Sequence, residues 1–381
     1  MLPCQRHLFE IPDDVTYLNC AYMSPLMKQV VEAGNAGLAR KLRPWELTPP
    51  QFFTGAEEFR ETGAKMLDAD AGCAAIVPSA SFGLGTAARN LPIRKHQSIL
   101  VLDEQFPSNY YPWQRLAEEN DASLKVVPWP EDHDWTAAVL AALTPEVAIA
   151  ALPNVQWTSG GLLDLVRIGQ ACRQIGAALV LDLTQSLGAL PFSVREVQPD
   201  FAVAANYKWL MGPYTTGLLY VAPKWHRGIP LEENWIQRAN ASDFTSLILY
   251  SPDYDEGARR FDMGERSNFA LLPAAVRAMR QLLDWKVSEI SATVGVLNRQ
   301  LAEGAAELGF SSPPESLRAP HYLCLRRKVG IPRELMDLLA SEKIYVSVRG
   351  SAVRVTPHVY NSEADVDRLI ACLRGVALQT S

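Results

Sequence analysis

The chain of 381 residues has no basic excess: 36 Lys and Arg face 42 Asp and Glu, a formal charge of −6. That balance lacks the electrostatic footprint of a nucleic-acid or anionic-membrane binder and favours a small-molecule partner. CxxC pairs and zinc spacings are missing too, because the six cysteines stand apart at 4, 20, 73, 172, 324 and 372. Isolated thiols of this kind pack as small hydrophobes and stay reduced, which points to the cytoplasm and to no metal site. No run reaches the ~18 apolar residues of a membrane span. The start, MLPCQRHLFEIPDD, lacks the basic residues and apolar stretch of a signal peptide. Internal repeats, low-complexity tracts and heptads are likewise absent.

What the chain does have is a series of short apolar runs bounded by turn residues. AAIV (74–77), SILVLD (98–103), LKVVPW (124–129) and VAIAALP (147–153) are followed by AALVLDL (177–183), DFAVAAN (200–206) and GLLYVA (217–222). Helical spacing marks 54–68. Strands that are apolar on both faces predict an α/β fold with a mostly parallel, seven-stranded sheet covered by helices. Residues 223–266, rich in Trp, Asn, Asp, Tyr and Pro, read as long surface connections or a subunit contact. Beyond them a long amphipathic helical pattern leads to HYLCLR (321–326), YVSVR (345–349), AVRVTP (352–357) and a last helix, the signature of a smaller α+β domain. The expected division is 14–255 for the large domain and 1–13 with 256–381 for the small one.

Ligands of such sheets bind at the carboxyl ends of the strands. Ser79, Ser81, Asp182 and Lys208 stand there. An Asp in that position is commonly the cap of the next turn. With Gln185 and Lys208, however, it places a carboxylate, an amide and an amine in one crevice. Those three groups can hold a pyridine ring that bears an aldehyde: the carboxylate keeps the ring nitrogen protonated, the amide bonds the ring hydroxyl and the lysine forms the Schiff base. The bland alternative for Lys208 is a snorkelling surface lysine. PSASFGLGTAARNL (78–91) offers hydroxyls and a helix N-terminus for a phosphate. It also fits a simple capped helix. A third reading is a dinucleotide fingerprint, from Gly83, Gly85 and Ala88 with Asp103, but PSAS separates the first glycine from its strand and the reading leaves Asp182 and Lys208 unexplained.

VQWTSGGLLDL, LVLDLTQSLGALPF and DFAVAANYKWLMGP, taken in order, resemble the class V aminotransferase family of fold type I pyridoxal-phosphate enzymes. FPSN (106–109), VQWTSGG (155–161), NYKWL (206–210), SN (267–268) and RVTPHVYNS (354–362) resemble its kynureninase and cysteine-lyase side. The resemblance implies pyridoxal phosphate as cofactor, with Lys208 in the Schiff base, Asp182 on the ring nitrogen and Gln185 on the ring oxygen. It further implies that Phe106 stacks on the ring and that Ala80, Ser81 and Tyr207 hold the phosphate. Asn109 falls beside the ring, Trp235 and Asn268 fall where relatives reach across a homodimer interface, and Arg354 falls where the family receives the substrate carboxylate. Arg354 also reads as a surface residue ending a strand, and Arg349 as either its support or a solvated strand end. Trp113, Trp129, Trp135, Trp157 and Trp225 read as packing, and Trp209 as core below the ring.

The chain departs from the family pattern at three places. VSVRGSAVRV carries no cysteine where desulfurases of the family keep their catalytic one; Gln185 and Asn109 replace the His and Asp usual in kynureninases; Tyr207 precedes the lysine where many relatives have His. The function expected is therefore a pyridoxal-phosphate enzyme acting on a small α-amino acid, either aminotransferase or cysteine/C–S lyase-like. A kynureninase-like hydrolase, an amino-acid epimerase, a non-catalytic ligand sensor and a nicotinamide-dependent dehydrogenase are the competing readings.

Overall fold

The computed structural model describes residues 1–328, 330–331, 333–349 and 351–379. A short strand β1 (Thr16–Tyr17) and helices α1 (Lys28–Ala39) and α2 (Gln51–Leu67) precede β2 (Ala74–Val77) and α3 (Ala80–Asn90). Strand–helix alternation continues through β3 (Ser98–Leu102), α4 (Tyr111–Glu119), β4 (Ser123–Val127), α5 (Trp135–Ala142), β5 (Val147–Pro153), α6 (Leu165–Ile175), β6 (Ala178–Asp182) and α7 (Val194–Val197). Strands β7 (Phe201–Ala205) and β8 (Gly217–Val221) follow. The rest of the chain forms α8 (Leu271–Trp285), α9 (Val287–Ala306), β9 (Leu323–Arg326), α10 (Arg333–Ser341), β10 (Ile344–Tyr345), β11 (Ser347–Arg349), β12 (Ala352–Val355) and α11 (Glu363–Gln379).

The seven apolar runs form one sheet in the order β2-β8-β7-β6-β5-β3-β4. All neighbours are parallel except β8, which is antiparallel to both β2 and β7. Period-two alternation explains why the strands are apolar throughout. Ile76, Ala202, Ala204 and Leu218 join one core, with α2, α5, α6 and α8; Val77, Phe201, Val203 and Leu219 join the other, with α3 and α4. Helix α3 starts at Ser79, whose side chain accepts the Phe82 N–H. It lies so close to β7 that a Cβ at Gly83 would sit 2.7 Å from Val203 Cγ2. Gly83 and Gly85 are therefore helical residues rather than a phosphate-cradling loop, and Asp103 is exposed, so the dinucleotide fingerprint has no counterpart here.

A third core gathers Leu18, Leu297, Leu301, Leu323, Leu325, Ile344, Val353 and Leu369 around the antiparallel sheet β11-β12-β9. Strand β1 pairs with β10 and ties the N-terminal segment to this unit. Two details differ from the reading by pattern. The run YVSVR breaks at Val346, because β10 pairs with β1 whereas β11 pairs with β12. Residues after 256 still pack on the large sheet: Ala258, Phe261, Met263 and the buried side of α8 belong to its two cores. Amphipathic spacing announces a helix without saying which core it will cover. No helix among the described residues is long and apolar enough to cross a membrane.

Candidate active site

Five strand ends converge on a cavity of about 210 Å³. The end of β2 delivers Ser79, Ala80 and Ser81, and the end of β3 delivers Gln105, Phe106 and Ser108. Past β5 stand Val155 and Trp157; past β6, Thr184 and Gln185 follow Asp182; past β7 come Tyr207 and Lys208. Tyr214 and Thr215, on the loop into β8, close one side. A wider open groove at the opposite ends of the strands, about 960 Å³, holds the ion pairs of Arg195 with Asp68 and Asp70 and of Lys224 with Asp200.

Lys208 is buried, and among the described residues its ammonium makes neither a hydrogen bond nor an ion pair. Its Nζ lies 5.5 Å from the ring centroids of both Phe106 and Tyr207. Burial is the main cause that lowers its pKa to about 8; the charge of Arg354 adds to this and that of Asp182 opposes it. Asp182 is held by the Thr184 N–H, which donates to Oδ1 at 2.9 Å. Burial nevertheless raises its pKa, against the Thr184 hydrogen bond and the Lys208 charge. A buried carboxylate so short of compensation would gain from a cationic N–H partner, such as a protonated pyridine nitrogen.

The amide of Gln185 is fixed by two neighbours. Trp209 Nε1 donates to its Oε1 at 3.0 Å, and its Nε2 donates to the Ala21 carbonyl at 3.2 Å. This orientation leaves the second Nε2–H as a donor. Trp209 is in turn flanked by the imidazoles of His321 and His358, with ring centroids 4.4 and 5.8 Å away. Burial lowers their pKa values to about 4 and about 3, so both rings are neutral. Ser79 Oγ and Ser81 Oγ lie 2.9 Å apart at the N-terminus of α3. Tyr207 packs on Tyr214 with a centroid separation of 4.4 Å, and burial pushes its phenol up to about 12.

Arg354, from β12, is buried beside this group. Its Nη2 donates to Ser347 Oγ at 3.4 Å, its Nε has no partner, and no acidic residue among those described pairs with it. A buried guanidinium without a counter-ion is an anion site in waiting. The structure thus brings together Ala80, Ser81, Phe106, Asp182, Gln185, Tyr207 and Lys208 in the cavity wall, with Arg354 outside that wall but close enough for its charge to act on Lys208.

Three expected residues stand elsewhere. Asn109 is buried outside the cavity, and its Oδ1 accepts the Trp113 indole N–H at 2.8 Å. The single 3₁₀ turn Pro107–Asn109 swings successive side chains by about a third of a circle, so Ser108 faces the cavity and Asn109 faces α4. Trp235 packs on Phe52, Phe53 and Phe244, and Asn268 caps α8 by accepting the Ala270 and Leu271 N–H groups. Neither lines the cavity of its own chain. Conversely, Trp157, read as packing, forms part of the wall: it donates to the Glu104 carbonyl at 2.6 Å and stands edge-on to Phe106. His321 and His358 carried no signal, since a buried neutral histidine looks like any other in a sequence.

A lysine, a carboxylate and an amide at the strand ends of a mostly parallel sheet define a fold type I pyridoxal-phosphate enzyme. The family model for aminotransferase class-V matches residues 43–369, and the chain belongs to that family, whose cofactor is pyridoxal phosphate. It is 26% identical over 313 residues to the uncharacterized aminotransferase YcbU of Bacillus subtilis, covering 82% of this chain and 81% of that protein. To the kynureninase of Stenotrophomonas maltophilia it is 25% identical over 369 residues, covering 88% and 86%. Among solved structures, a lysine-to-alanine mutant of the cystine C–S lyase C-DES, with glycine covalently linked to the PLP cofactor, shares the fold at a TM-score of 0.84. That match has 19% identity and covers 97% of this chain and 99% of that one.

Proposed function

We propose that this chain acts in the cytoplasm on a small α-amino acid, as an aminotransferase or a cysteine/C–S lyase, through covalent attachment of the cofactor to Lys208. The observation that supports this reading is a buried lysine that feels the charges of both Asp182 and Arg354, the latter a buried guanidinium without an acidic partner among the described residues. Pyridoxal phosphate, when bound, supplies the aldehyde for that attachment and an electron sink for charge developing at the substrate's α-carbon. The rest of the work falls to the chain's own residues. Asp182 would pair with the ring N–H, and the free Nε2–H of Gln185 would donate to the ring oxygen. The Ser81 hydroxyl and the first N–H groups of α3 would hold the phosphate. Arg354 receives the α-carboxylate in its planar fork. Lys208, once the substrate's amine has displaced it from the cofactor, would accept the α-proton; its pKa of about 8, against the ordinary 10.5, keeps a fraction of the amine uncharged near neutral pH.

Sulfur transfer through an enzyme cysteine is not part of this reading. Cys324, opposite Arg354 in the strand register, donates its S–H to the Thr158 carbonyl at 3.1 Å, and burial pushes its thiol up to about 12. The chain works as a homodimer, with Trp235 and Asn268 directed towards the partner's site. The exposed apolar side chains Leu38, Leu42, Trp45, Ile248, Leu249 and Tyr250 support such an interface. The test is the absorption spectrum of the protein loaded with cofactor, followed by a panel of amino acids with detection of keto acid, ammonia and sulfide. Lys208→Ala should abolish the visible band of the lysine-bound cofactor; a band unchanged in that variant would sink the assignment. Keto acid alone indicates transamination, and ammonia with sulfide indicates lyase chemistry.

A further inference from the structure

The strand register places a second arginine beside the first. In the antiparallel pair β11–β12, Ser347 faces Arg354 and Arg349 faces Ala352. Directly paired residues share a face, and so do alternate residues along a strand, so Arg349 and Arg354 lie diagonally on one face of this ribbon. Arg354 is buried, whereas Arg349 is partly exposed, its Nη1 donating to the Val348 carbonyl at 2.8 Å. Among the described residues, neither arginine pairs with an acid. The same face carries Arg326, but that guanidinium is stacked on Trp129, 4.9 Å from the ring centroid. Arg349 instead shares its surroundings with Arg354, Tyr322, Tyr22 and the amine of Lys208.

The charges around the site therefore do not balance. Lys208, Arg354 and Arg349 are three cationic positions, and among the described residues Asp182 is the carboxylate whose charge acts on Lys208. Once Asp182 is committed to the ring nitrogen, one α-carboxylate satisfies Arg354 and leaves Arg349 over. Two guanidinium groups kept close together, with no acid between them, repel one another unless a ligand supplies the missing charge.

We infer that Arg349 is a specificity-determining residue that receives a second anionic group, so that the preferred substrate is an α-amino acid with an acidic side chain, a carboxylate or a sulfinate. This rests on the proposed reading of the site and deepens it. A neutral side chain leaves Arg349 unpaired, and an acidic one forms a charge-assisted pair at its fork.

The test uses the holoenzyme and follows the change in its visible spectrum as L-aspartate, L-glutamate, L-cysteine sulfinate or the neutral isostere L-asparagine is added. Half-saturation by the best acidic amino acid should come at a concentration about 10- to 100-fold lower than by asparagine, the range for a charge-assisted hydrogen bond. Arg349→Gln should collapse that ratio towards one, and Arg349→Lys should restore part of it. Aspartate and cysteine sulfinate, compared with each other, separate carboxylate from sulfinate. Equal weakening of acidic and neutral amino acids in Arg349→Gln would overturn the inference by making Arg349 a helper of the α-carboxylate site. A wild-type protein with no preference for acidic side chains would overturn it as well. In both of these cases the Lys208 reading stands, because the spectrum still responds. Absence of any response to all four amino acids overturns this inference alone, because the Lys208 reading stands or falls on the visible band of the holoenzyme and its loss in Lys208→Ala.

Discussion

Lys208 carries a cost in the cofactor-free protein that can be measured. Its folded pKa of about 8 lies below the ordinary 10.5, chiefly because burial disfavours the charged form. Below pH 8 both folded and unfolded chains hold the proton, the folded one at a penalty. Between 8 and 10.5 the unfolded chain binds more protons, so the stability of the apo-protein rises with pH across that window. Lys208→Met should therefore stabilise the apo-protein at pH 7 and flatten the rise, as read from urea melts at pH 7 and 10. A melt that Lys208→Met leaves unchanged at pH 7 would mean that the amine is solvated. At this scale, the meeting of Asp182, Gln185 and Lys208 at one cavity was legible because polar residues at or just past the end of an apolar strand stand out from their neighbours. That Asn109 faces away from the cavity was not, because its direction depends on the 3₁₀ turn it belongs to, which spacing does not reveal. The orientation of Gln185 depends on Trp209 and on Ala21, far away in the chain, and no local pattern encodes that.

Elements were more readable than side-chain directions. All seven apolar runs became strands of one sheet, with ends shifted by a residue or two, because a strand buried on both faces has few polar positions in which to hide. The failure came where one run serves two partners, as in YVSVR. Gly83, in the helical run that follows β2, has a packing reason to be glycine. The absence of a side chain lets α3 rest on β7, and a Cβ there would stand 2.7 Å from Val203 Cγ2 and 3.1 Å from its Cβ. Since α3 also carries Ala80 and Ser81 into the cavity, lifting the helix should affect both stability and the site. Gly83→Ala should cost roughly 1–3 kcal/mol, the usual range for overpacking, and should weaken cofactor retention on dialysis. Unchanged stability and retention would show that Val203 moves aside freely and that α3 is not held by this contact.

For the whole molecule, the feature that sequence hid most completely is the ionic knot behind β2. Asp262, fully buried in the long connection, accepts from Arg60 Nη2 at 2.7 Å, from Arg266 Nη1 at 2.6 Å and from the Ile76 N–H at 2.8 Å. It thereby joins α2 and the edge strand β2 that follows it to the approach to α8, which lies far along the chain. Glu57 adds bonds to Arg60 and Arg259 at the partly buried rim. Two buried guanidinium groups share one buried carboxylate, while their other acids, Glu57 for Arg60 and Asp255 for Arg266, are partly exposed and stand at 3.2 and 3.8 Å. Replacing both partners with apolar groups could be nearly neutral, but removing the carboxylate alone leaves two buried cations without their close counter-ion in low dielectric. Asp262→Asn should accordingly cost about 3–5 kcal/mol, and Asp262→Asn combined with Arg60→Met should recover part of that loss. Urea denaturation of the full chain checks both values. A loss below about 1 kcal/mol, within the range of exposed pairs, would mean that water reaches the knot and that the connection is held to the sheet by its apolar contacts, Ala258, Phe261 and Met263, instead.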